Sequence, residues 1–118
     1  MGTKYERGLE LLSQVDGDVG VSVIESLQGV APDVGRYIVE FAFGEIYDRA
    51  GLSLRDRELA TIASLCTQGG CEPQLKVHIR GALNAGMTRE EVIETFTQLI
   101  PYVGFPRVLN AITVAKEL

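Results

Sequence analysis

At 118 residues, with 46% hydrophobic and 23% charged side chains, the chain has the make-up of one folded domain over 1–118, not of a disordered segment. Its formal charge of −5, with 11 Lys and Arg scattered along it, argues against nucleic acid as a partner. No run of about 18 apolar residues occurs, so no membrane span is expected.

A monomer of this size buries only roughly two thirds of its unfolded surface, which makes self-association a natural source of further burial. Met1 to Arg7 lack the apolar core of a signal peptide, and two cysteines do not make a disulfide framework. A cytoplasmic location is the expectation. One His and two Cys leave too few ligands for a closed zinc site without carboxylates or a second subunit, so no metal is expected.

The apolar period is helical nearly throughout, and the expected fold class is all-α. Leu9, Leu12 and Val15 recur at helical spacing up to a break at Asp16-Gly17-Asp18, after which Val19, Val23, Ile24 and Leu27 resume it. Ala31-Pro32-Asp33 opens a long helix whose predicted stripe is Val34, Ile38, Phe41 and Glu45, with Gly51 beyond its end. Ser53 to Asp56 reads as a capping box before a helix carrying Leu59, Ile62, Ala63 and Cys66. Gly69-Gly70 breaks that helix, and Glu72-Pro73 starts the next, with Leu75, Ile79 and Ala82 inward and Gly86 ending it. Thr88 to Glu91 is a second capping box, followed by Val92, Phe96 and Leu99. A loop is expected over Pro101-Tyr102-Val103-Gly104-Phe105, and Pro106 starts a last helix carrying Leu109, Ile112 and Ala115.

Four scarce or reactive residues stand out: Glu58, Cys66, Cys71 and His78. Glu58, read as lying in the first turn of its helix, and Cys66 are eight residues apart, about 80° round, and roughly share a face. Cys71 follows the double glycine at a helix start, where the positive end of the macrodipole favours thiolate, and His78 lies two turns on. A nearby His can relay a proton and a carboxylate can orient that His. Each also has an ordinary structural reading: Cys66 as a small core residue, Cys71 as an incidental surface thiol, His78 as structural, Glu58 as dipole compensation.

Glu40 to Tyr47, Gly51 to Ala63 and Gln74 to Gly86, followed in order by Thr88 to Glu91, Tyr102 to Pro106 and Asn110-Ala111, resemble successive blocks of the carboxymuconolactone decarboxylase family. The resemblance covers roughly residues 5 to 117. It implies a compact helical protein assembling as a trimer or hexamer.

It also implies one of two chemistries. In the decarboxylase branch, which the overall length and the Gly104-Phe105-Pro106 region resemble most, a small carboxylated lactone loses carbon dioxide without a cofactor. There His78 is the expected proton donor, with Glu58 orienting it, and Arg57 or Arg80 is a candidate for holding a substrate carboxylate. The other branch resembles the alkyl hydroperoxide reductase D proteins, thiol-dependent peroxidases with a Cys-x-x-Cys pair before the His. Here Cys71 falls on the first Cys of that motif but Gln74 stands at the second, so Cys66 would have to serve as the partner thiol, with a thiol reductant protein as electron donor. A non-catalytic, oligomeric small-molecule binding protein is the third reading. Tyr37, Phe41 and Phe105 are candidates for lining a site, with core packing as their ordinary alternative.

Overall fold

The computed structural model describes residues 2–118, and every regular element among them is helical. Contacts gather the helices into two units, Met1–Ser53 and Leu54–Leu118. No helix among the described residues is long and apolar enough to cross a membrane.

In the first unit α1 spans Lys4–Leu27. Thr3 caps it: its hydroxyl accepts from the Glu6 N–H at 3.1 Å, and the Glu6 carboxylate accepts from the Thr3 N–H at 3.0 Å. The break expected at Asp16-Gly17-Asp18 is a kink inside this helix, with Gly17 at φ 61°, ψ −148°. Leu11, Leu12, Val15 and Ile24 are buried along it, and so is Asp16.

The helix expected from Pro32 has a different form. α2 covers only Pro32–Tyr37 and runs into a π-helix, Ile38–Ile46, whose wider turn is closed by bonds such as Tyr47 N–H to the Ala42 carbonyl at 2.9 Å. The widened turn shifts which side chains face inward. Gly35, Val39, Phe43 and Gly44 are the buried ones, whereas Val34 is 49% and Phe41 56% exposed, so the predicted stripe was out of phase.

α1 and the π-helix meet backbone to backbone. A Cβ placed on Gly8 would lie 1.9 Å from the Val39 carbonyl oxygen, and one on Gly44 would lie 2.5 Å from that of Lys4. Lys4–Glu45 and Arg7–Asp48 ion pairs flank the contact at the surface, where such pairs add little by themselves.

The second unit packs four helices: α3 (Leu54–Gln68), α4 (Glu72–Asn84), α5 (Arg89–Val103) and α6 (Phe105–Lys116). Ile62, Leu75, Ile79, Phe96 and Val108 centre its core, with Cys66 among them. The Thr88 capping box is present, with Glu91 N–H to the Thr88 hydroxyl at 3.1 Å and Thr88 N–H to the Glu91 carboxylate at 2.9 Å.

Two expectations fail here. The predicted loop from Pro101 to Phe105 is helical up to Val103, and Gly104 alone separates α5 from α6. Pro101 falls in the last turn, where one backbone bond is forgone, while Leu99 and Ile100 are held against the core. In α6 Ala115 is buried and Ile112 packs against the core as expected, but Leu109 is 58% exposed and Val108, Ala111 and Val114 complete the inward face.

The glycine contact yields a stability prediction. Gly8→Ala must push backbone against backbone and is expected to cost about 1–3 kcal/mol or more. Gly29, whose added Cβ meets nothing within 4 Å, should tolerate alanine with little change. Denaturant titration of both variants checks this, and equal midpoints would contradict the contact.

Candidate active site

α3 and α4 form a hairpin across the double glycine. Gly69 and Gly70 have φ of 69° and 71°, a left-handed pair that side-chain-bearing residues adopt only with strain. Arg107 of α6 clamps this turn: its Nε donates to the Gln68 carbonyl at 3.3 Å. A Cβ on Gly69 would sit 2.8 Å from that same nitrogen, so a side chain there would displace the clamp. The turn thereby fixes how α4 returns along α3.

On that hairpin Glu58 and His78 meet. His78 Nδ1 lies 2.9 Å from Glu58 Oε1. The Glu58 side chain has 0% exposure and that of His78 has 22%, so the carboxylate is fully enclosed while the imidazole reaches the surface. Glu58 opens the second turn of α3, after Asp56 in the first, so compensation of the helix dipole is not its place. It continues the buried stripe of Ile62 and Cys66 at i, i+4 and i+8. A buried carboxylate is costly unless hydrogen-bonded, and the imidazole supplies a partner. The pairing of these two residues is the part of the expected constellation that the fold brings together.

The cysteines are placed differently. Both are free thiols. Cys66 is 2% exposed within the core, its thiol directed at the Arg107 carbonyl oxygen 3.9 Å away, and burial pushes its pKa up. Less of it is therefore thiolate at neutral pH, which weakens it as a nucleophile. Cys71 is the cap residue of α4 and half-buried, with its sulfur 3.4 Å from the Gly69 carbonyl oxygen and 3.9 Å from Gln68 Oε1. Gln74, at the position of the missing second Cys, is exposed.

A family model for the carboxymuconolactone decarboxylase family matches residues 32–117, a span that includes Glu58 and His78. The chain belongs to the carboxymuconolactone decarboxylase family. It is 34% identical over 116 residues to the 4-carboxymuconolactone decarboxylase of Acinetobacter baylyi, covering 98% of this chain and 86% of that protein. It is 32% identical over 80 residues to the nitrosuccinic acid decarboxylase npaB of Metarhizium robertsii, covering 68% of this chain and 55% of the relative. Peroxisomal protein 2 of Schizosaccharomyces pombe is 32% identical over 89 residues, 75% of this chain and 41% of that protein.

The two arginine candidates of this family member part company. Arg80 is exposed and two residues beyond His78, about 200° round α4, so it does not share the imidazole's face. Arg57 adjoins Glu58 and is half-buried, with its Nε enclosed. Of the aromatic candidates, Tyr37, Phe41 and Phe105 are 55%, 56% and 63% exposed, so none of the three is a core residue.

What the sequence missed was the completeness of Glu58's burial, although its place on the Ile62–Cys66 stripe was there to be read. The role of Arg107 in holding the glycine turn had no sequence signal, because the two are 38 positions apart (107 − 69).

The thiol environments predict an order of labelling. Native protein treated with iodoacetamide should gain one adduct, at Cys71, and a second only after denaturation. Peptide mass spectrometry locates the adducts, and comparable labelling of Cys66 in the native protein would contradict its burial.

Proposed function

We propose that this protein is a cofactor-independent decarboxylase of a small carboxylated lactone or a related acid, with Glu58 and His78 carrying the proton transfer. The observation that carries the reading is the hydrogen bond between an enclosed carboxylate and an imidazole that reaches the surface. The likeness to two decarboxylases acting on small acids supports it.

In this reading the Glu58 carboxylate accepts from His78 Nδ1–H, which fixes the ring and leaves Nε2 for the substrate. Nε2 is then the outward, proton-bearing atom facing substrate. As the C–CO2 bond breaks, its electron pair passes into the conjugated system as a dienolate. The imidazolium gives its Nε2 proton to carbon, quenching that anion, and regains a proton from water. Carbon dioxide leaves as the second product. Arg57, half-buried and next to Glu58 in α3, is the candidate for holding a substrate carboxylate. Assembly as a trimer or hexamer and a cytoplasmic location belong to the same proposal, as does a single domain over 1–118.

The test is carbon dioxide release from 4-carboxymuconolactone by wild type, His78→Ala and Glu58→Gln. Wild type should turn over, His78→Ala should lose about 10²-fold or more, and Glu58→Gln should lose less. Undiminished turnover in His78→Ala would overturn the assignment of the proton donor. Absence of turnover on small carboxylated lactones by well-folded wild type would overturn the activity.

A further inference from the structure

We propose that the cleft between α4, α5 and α6 is a second ligand site, one that takes a small monocarboxylic acid with an apolar body. Its floor is apolar and well buried: Ile79 and Val92 are each 2% exposed and Ala115 is 7%. The cavity is about 180 Å³, the liquid share of about six waters. That suits a one-ring or short-chain acid.

Its rim carries charge of one sign. Arg89 and Lys116 line the cleft, and no acidic residue does. Among the described residues neither makes an ion pair, whereas Arg7, Arg36, Arg55 and Lys76 each pair with a carboxylate. Arg80 and Arg107 also make no ion pair among the described residues, but Arg89 and Lys116 flank one apolar hollow in a chain of net charge −5. The acids next to them in sequence are engaged or turned aside. Glu91 accepts from the Thr88 N–H and pairs with Arg55, and Glu117 pairs with Lys76. Glu90 follows Arg89 directly and so projects about 100° away round α5.

These features specify the ligand class. Apolar walls reward burial of a ring or alkyl chain, and two cations at the mouth reward a carboxylate kept at the edge where water still reaches it. A neutral molecule of the same shape gains only the first. Neither Glu58 nor His78 lines this cleft, so the site is separate from the proposed catalytic pair and does not depend on the activity assigned to it.

The experiment is an amide NMR titration of the full chain with benzoate, and with benzyl alcohol as the neutral isostere. Benzoate should shift the amides of Leu83, Arg89, Ile93 and Lys116, and benzyl alcohol should shift the same set about tenfold more weakly. The double variant Arg89→Gln, Lys116→Gln should bring benzoate down to the affinity of the alcohol and leave the alcohol unchanged. No shifts up to the solubility limit, equal affinity of the two probes, or benzoate binding indifferent to the double substitution would each overturn the proposal. Shifts confined to the surroundings of Glu58 and His78 would overturn it too, as binding at the catalytic pair.

Discussion

A carboxylate with no exposed surface has to be satisfied from within, and the Glu58–His78 hydrogen bond is the contact on which the second unit's site depends. Removing the imidazole would leave the enclosed carboxyl group without that partner, and removing the carboxylate would take away one hydrogen bond that orients the ring. The asymmetry of the pair gives it direction. One end is sealed beside Ile62 and Cys66 on the inward stripe of α3, and the imidazole at the other end reaches the surface.

That contact, at 2.9 Å, joins α4 to α3. The Gly69-Gly70 turn sets the reversal, and Arg107, reaching from α6 to the Gln68 carbonyl, pins it. The thiol of Cys66 is directed at the backbone carbonyl of the same arginine, so the lower end of α3 is tied to α6 twice. The cysteine that looked chemically suggestive is thus part of the support. The first unit solves a similar problem by other means, bringing α1 and the π-helix together through Gly8 and Gly44, where side chains would collide with backbone.

Much of this was readable in the sequence, and the failures have physical causes. The all-α fold, the Thr88–Glu91 capping box, the glycine break and the inward Leu75, Ile79 and Ala82 follow from period and capping chemistry, and each is present. The π-helix was not readable, because regular spacing assumes 3.6 residues per turn and this segment does not keep it. The phase of α6 was legible only in part: Ile112 and Ala115 lie against the core as expected, whereas Leu109 gives way to Val108, Ala111 and Val114, which packing alone decides. At the site, the four residue types were legible from scarcity alone. Which of them meet was decided by geometry, and it joined Glu58 to His78 while sinking Cys66 into the core.

The state of the His78 ring tests the account most directly. Nitrogen-15 NMR of the imidazole in wild type and Glu58→Gln reports which ring nitrogen bears the proton. The account predicts that Nδ1 keeps its proton towards the Glu58 carboxylate while the transferable proton sits on Nε2, and that this preference is lost in Glu58→Gln. A wild-type ring protonated at Nε2 alone when neutral, unaltered by Glu58→Gln, would contradict it.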